Sequence, residues 1–304
     1  RRAELHEAMI DDRDCLESWT LPRLRDRPSH KTDPNRFTVP MRINLLNVNG
    51  LHESPNACRI KMSSEPIDNP ARLIPDPWLC FVDGPHPGAY NMALDEALLE
   101  AVTTFEQPLL RFYEWSEPAA TFGYFQSYAE VARLTPLRPL IRRPTGGGLV
   151  PHDHDYTYTV VVPPAHDWYR LRARTSYRRV HDWLRRAFDQ LGWRTDLAAA
   201  ARTGAVGQCF VRPEQFDVLR DGAKIAGAAQ RRTRSGLLIQ GSIQPPPGAP
   251  ARSAWQAAMQ DVAEQDWSVR WSPFVVVAAL RQRAEQLAAE KYSRPDDRRG
   301  RSDG

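Results

Sequence analysis

The sequence predicts a fold of mixed α and β class, and three observations carry that reading. Short runs rich in aromatic and β-branched residues recur, each closed by Pro, Gly or Ser-containing turns. Two longer stretches place apolar residues at helical spacing on one face. Asp221-Gly222 stands between apolar runs, a strong signal for a tight hairpin.

Taken in order, Trp78–Asp83 reads as a strand and Gly84–Gly88 as a turn. Ala93, Ala97, Leu98, Ala101, Val102 and Phe105 then form one buried helical stripe, with Asn91 as the expected N-cap. Leu109–Trp115 and Ala119–Phe125 read as strands joined by Ser116-Glu117-Pro118. Gly123 inside the second predicts close approach by backbone or ligand. Two further runs flank Gly146-Gly147-Gly148, and this stretch reads most simply as a hairpin turn. Tyr156–Val162 is a strand closed by two prolines. Tyr177, Val180, Leu184, Ala187, Phe188 and Leu191 mark a strongly amphipathic helix whose other face carries Arg178, Arg179, Arg185 and Arg186. That face is either solvated surface or a dock for an acidic partner protein. Phe216–Leu219, Lys224–Gln230 and Leu237–Ile243 are strands; Ser253–Val262 and Pro273–Tyr292 are helices.

Residues 1–61 differ from the rest: charges of both signs alternate with prolines and no period is sustained. The chain opens on Arg, and Met62 begins M-S-S-E-P, so residues 1–61 are expected to be a disordered or non-native extension. Residues 62–293 are expected to be one catalytic domain, and 294–304 a charged tail. The net charge is +4; residues 1–61 hold 11 of 41 basic and 9 of 37 acidic residues, leaving a net of only +2 beyond them. That is too little for a concentrated nucleic-acid footprint. No apolar run is long enough to span a membrane. Cys15, Cys58, Cys80 and Cys209 are widely spaced, which argues against a disulfide framework or zinc site and for a cytoplasmic location.

Two stretches carry chemistry. Three successive glycines expose backbone N–H groups and reach conformations closed to other residues, while Arg142 and Arg143 just before them bring forked positive donors. The chain holds only four lysines, Lys31, Lys61, Lys224 and Lys291, against 41 basic residues. A single lysine between residues 62 and 290 therefore stands out, although a solvent-exposed hairpin lysine is the ordinary case.

In context these stretches resemble a known family. R-R-P-T-G-G-G-L-V-P-H-D, N-M-A-L-D-E-A-L-L, R-F-Y-E-W-S-E-P-A with Gly123 and Gln126, D-G-A-K-I-A-G-A-A-Q and G-S-I are similar, in this order, to motifs of the lipoate-protein ligase and octanoyltransferase family. The resemblance covers roughly Trp78 to Tyr292 and implies an α+β fold, a mixed β-sheet packed with helices. It implies substrate contacts at Arg142, Arg143, Thr145, Gly146, Gly147, Gly148, His152, Asp153, Gly227 and Ala228, and an active-site role for Lys224. C-F-V-R-P-E-Q-F-D, beginning at Cys209, resembles the single-domain cysteine-dependent octanoyltransferases. Gln240 stands where the family often has histidine and is expected to supply neutral hydrogen bonds instead.

Three functions compete. The first is transfer of an octanoyl or lipoyl group from acyl carrier protein to a lysine of a lipoyl domain, through an acyl-Cys209 thioester and without a cofactor. The acceptor would be a glycine cleavage H protein or a 2-oxoacid dehydrogenase E2 subunit. The second is lipoate ligation, which needs ATP and Mg2+. The third is non-catalytic acyl binding, which fits poorly with an intact loop and lysine. A biotin ligase would carry G-R-G-R-x-G, which is absent. No metal site, nucleic-acid partner or membrane contact is expected.

Overall fold

The computed structural model describes residues 75–201 and 213–293, all within the unit Leu73–Gly304. The expectations for residues 1–61, for the tail 294–304 and for Cys209 lie outside the described residues.

The larger sheet has eight strands, in the order β11-β1-β2-β6-β10-β9-β8-β7. In chain order these are β1 (Asp76–His86), β2 (Leu109–Trp115), β6 (Tyr156–Val162), β7 (Asp196–Leu197), β8 (Val218–Arg220), β9 (Ala223–Arg232), β10 (Leu237–Ile243) and β11 (Val269–Pro273). A second sheet has the order β4-β3-β5, with β3 (Ala119–Phe122), β4 (Leu140–Arg142) and β5 (Val150–His152). The helices are α1 (Gly88–Phe105), α2 (Tyr128–Leu134), α3 (Asp167–Arg170), α4 (Ala173–Gln190), α5 (Arg252–Trp267) and α6 (Ala278–Leu287), which ends in one π-helical turn at Ala288–Tyr292. β1 runs parallel to β2 and β11 while β6, β10 and β9 pair antiparallel, so the sheet is mixed and the class is α+β.

Helices cover both faces of the large sheet. Along β6, Tyr158, Val160 and Val162 enter one core with Trp183, Leu184 and Phe188 of α4 and Trp255 of α5. Val161 enters the other, with Met92, Leu98 and Val102 of α1 and Leu280 of α6. Side chains of a strand alternate between faces, so a strand buried on both sides is apolar almost throughout. A small third cluster, Ala120, Phe122, Val131 and Leu149, joins the three-stranded sheet to α2.

Several expectations change. The glycine stretch is no hairpin: β4 and β5 do not pair with each other but lie on either side of β3, one parallel and one antiparallel. Asn91 is not the N-cap of α1; the cap position is Pro87, and Asn91 sits inside the first turn, where its side-chain amide donates to the carbonyls of His86 and Glu114. The long helix from Pro273 is instead the end of β11, an extended link and α6. The Asp-Gly hairpin forms as expected, with φ of 50° at Asp221 and 77° at Gly222, the left-handed pair that a tight two-residue turn requires.

Candidate active site

The two sheets meet over a narrow cleft, lined by Met92, Tyr113, Thr121, Arg143, Val150 and His152. Gly227, Ala228, Ala229, Gln240, Gly241 and Ser242 from the β9–β10 pair, with Thr157 of β6, form the rest. In the antiparallel register Gly227 faces Ser242 and Ala229 faces Gln240, so these four share one side of the sheet.

Lys224 is the second residue of β9, where the pairing with β8 shifts register between Val218 and Leu219. Its backbone is at the open hairpin, but its side chain is only 2% exposed and its ammonium lies 2.7 Å from the fully buried Asp217 carboxylate. The side chain crosses over Gly227: a Cβ there would lie 2.8 Å from Lys224 Cε and 2.9 Å from Nζ. Gly227 thus makes room for the lysine as well as lining the cleft. Asp217 also accepts from the Glu214 backbone N–H at 2.5 Å and from the Tyr177 hydroxyl at 2.5 Å. Burial holds the Asp217 carboxyl above its ordinary pKa despite the Lys224 charge that pulls it down. His181, next on the same face of α4, is buried without a side-chain partner among the described residues; burial and then the Lys224 charge push it down to about 3, so it is neutral.

The glycine loop is fixed from behind. Arg143, 6% exposed, donates to Thr121 Oγ1 at 2.8 Å and to the carbonyls of Gly146 and Gly148 at 2.9 and 2.8 Å. Arg142 donates to the carbonyls of Tyr124 and Gln126, both at 2.6 Å, and stacks over Phe122. Both arginines therefore hold main chain with their forks. Gly147 has φ of 86° and is exposed, and Gly146 and Gly148 are half-buried. A Cβ at Gly123 would fall 1.8 Å from the Gly147 carbonyl oxygen, so the close approach expected there is made by the loop backbone.

Thr145 donates to Gln240 Oε1 at 2.8 Å, and Gln240 Nε2 donates to Asp95 at 2.8 Å. Gln240 thus ties the loop to α1 with neutral hydrogen bonds, as its chemistry required. Asp95 also accepts from Thr159, Tyr113 and the fully buried Arg111, whose guanidinium reaches Asn91 and Asp83 as well. Removing Arg111 would leave the buried Asp95 carboxylate without its cation, the costly case for such a pair. This network is what N-M-A-L-D on α1 supplies.

His152 is buried and stacks on Trp115 at 3.8 Å. Its Nδ1 lies 2.8 Å from Asp155 and its Nε2 lies 2.7 Å from Thr121 Oγ1. A carboxylate only accepts, so Nδ1 carries a proton and donates to Asp155, which fixes the ring with Nε2 against the Thr121 hydroxyl. Asp153 is exposed in the turn between β5 and β6, and the carboxylate beside His152 is Asp155, which also accepts from Thr157 and Ser242. Asp155, Asp217 and Tyr177 were absent from the expected site. Asp217 had a signal, as the last residue of C-F-V-R-P-E-Q-F-D; Tyr177 had none beyond its place on the helix.

The residues that build this cleft fall inside one family model. Residues 87–244 match the lipoyl protein ligase A/B catalytic domain, just over half of the chain. The chain belongs to that family. Within it, the octanoyltransferase LipM of Oceanobacillus iheyensis is 37% identical over 172 residues, 55% of this chain and 63% of that protein. LipM of Staphylococcus aureus is 34% identical over 179 residues, covering 55% and 65%. The chain thus spans less than two thirds of the length of these relatives. Among solved structures, a lipoate-protein ligase A bound with ATP superposes with a TM-score of 0.56 at 19% identity, covering 72% of this chain and 97% of that one. A bipartite lipoate protein ligase from Thermoplasma acidophilum gives 0.53 at 20%, covering 73% and 95%. At these identities the two structures share the lipoyl ligase fold with this chain.

Proposed function

We propose that the protein transfers an octanoyl or lipoyl group to a lysine of a lipoyl domain, and that the group comes from a carrier thioester. The observation that carries this reading is Lys224, a buried ammonium held by Asp217 at the Gly227 end of a narrow cleft. The relatives named octanoyltransferase support the acyl group, and the T. acidophilum ligase, whose structural study includes its E2 lipoyl domain, supports the acceptor.

In this reading the Cys209 thiolate attacks the carrier thioester, forming acyl-Cys209 and releasing the carrier as its thiolate. The neutral acceptor amine then attacks the same carbonyl, the C–S bond breaks as the amide forms, and the proton the amine sheds passes to the departing Cys209 sulfur. Each step builds negative charge on the carbonyl oxygen, which the Lys224 ammonium stabilises. Because exchange between thioesters is nearly isoenergetic, no adenylate is needed. The described cleft lining holds one guanidinium, Arg143, and its donors are bound to Thr121 and two loop carbonyls; this favours an uncharged acyl chain over a nucleotide there. If the protein were a ligase, ATP and Mg2+ would activate the free acid.

The test compares donors on one lipoyl domain. Octanoyl carrier protein without ATP should acylate the acceptor lysine, and free lipoate with ATP and Mg2+ should not. The opposite pattern would make the protein a ligase, and activity with neither would refute acyl transfer.

A further inference from the structure

We infer that Tyr177 of α4 is a positioning residue for Lys224, acting through the Asp217 carboxylate. The inference rests on the reading of Lys224 as the group that handles the acyl carbonyl.

Asp217 has two oxygens and the chain assigns them differently. One accepts from the Tyr177 hydroxyl at 2.5 Å; the other accepts from the Glu214 N–H at 2.5 Å and holds Lys224 at 2.7 Å. The turn Glu214–Asp217 is unusual, with Phe216 at φ of 73°, a left-handed conformation that a bulky residue rarely takes. That turn aims Asp217 inward. Arg174 and Arg178, each over the Phe216 ring at 5.5 Å, pack it from α4.

The first turns of α4 are fastened on both sides of the site. Arg174 donates to Gln215 Oε1 at 2.6 Å, Ser176 donates to Gln230 Oε1 at 2.7 Å, and Gln230 Nε2 donates to the Ala173 carbonyl at 2.6 Å. Tyr177 therefore presents its hydroxyl from a rigid element. Among the described residues, Lys224 is the cation paired with Asp217. His181, 4.2 Å from Tyr177 ring to ring, is neutral. Tyr158, which feels the Asp217 charge from β6, is held protonated chiefly by burial. With one cation and a costly burial, the Asp217 anion depends on its hydrogen bonds, and Tyr177 gives the only one from a side-chain hydroxyl among the described residues. Weakening that anion loosens the ammonium it holds.

The test uses the scarcity of lysine. Brief labelling of the full-length protein with acetic anhydride, read by peptide mass, reports Lys224 against Lys291, which is paired to Glu96. Tyr177→Phe keeps the ring and removes the hydroxyl. It should raise Lys224 labelling relative to Lys291 and lower kcat for acyl transfer about tenfold with KM little changed, the size expected for one hydrogen bond to a charged group. On an Asp217→Asn background the same change should add nothing. Unchanged Lys224 labelling, an undiminished effect in Asp217→Asn, or a Tyr177→Phe chain that fails to fold would each overturn the inference. Labelling needs no turnover, so a wild-type chain inactive in acyl transfer would refute the functional reading while this measurement still judged Tyr177.

Discussion

At the scale of single residues, the site is governed by what is neutral and what is charged among buried groups. His181 shows the consequence for stability. Its folded-state value of about 3 lies below the ordinary value of 6.5, so between those limits the unfolded chain binds a proton that the folded chain does not. Stability therefore rises with pH across that window and is lost as pH falls through it. From pH 7 to 5 the loss from this group is about 2 kcal/mol, and His181→Phe should abolish that share of it. Chemical denaturation at the two pH values checks this; equal losses in variant and wild type would contradict it. Residue identity was only partly legible in the sequence. Lysine scarcity pointed to Lys224 before any coordinate did. In H-D-H-D, however, nothing local says that Asp153 turns outward while Asp155 folds back beneath His152.

At the scale of elements, β2, β6 and β10 were legible to their last residue, because each is buried on both faces and bounded by turn residues. β11 was not, since V-R-W-S-P is short, ends in proline and lies at the sheet edge, where pairing with β1 is decided by tertiary contact. The glycine loop misled in a different way. Its flanking runs do read as strands, but both add to β3, a choice made by chain path and not by local preference. The arginine face of α4 is also answered within the chain: Arg185 pairs with Asp182 and Asp189, Arg186 with Asp266, and Arg179 covers Trp168. For the loop, contact with Gly123 is the sensitive point. Gly123→Ala sets a methyl against the Gly147 carbonyl, which as backbone cannot move aside cheaply. It should cost about 1–3 kcal/mol, the usual range for overpacking, and impair acyl transfer through loop displacement. A variant with wild-type melting temperature and full activity would show that the loop's position is not critical.

At the scale of the whole molecule, two sheets divide the labour. The eight-stranded sheet supplies the rigid floor, with Gly227, Gln240 and Ser242 facing the cleft and Lys224 at its edge. The three-stranded sheet brings Thr121, His152 and the arginine-clasped loop over it. The Thr145–Gln240–Asp95 chain locks the two together, so the cleft is a product of the fold and not of one motif. The most direct measurement of the central claim is the intact mass of the protein after incubation with octanoyl carrier protein, without ATP or acceptor. The wild type should gain one octanoyl group that hydroxylamine removes, and Lys224→Ala, with an unchanged circular dichroism spectrum, should gain none. Loading of Lys224→Ala at the wild-type rate, or no adduct on the wild type, would contradict acyl transfer at this cleft.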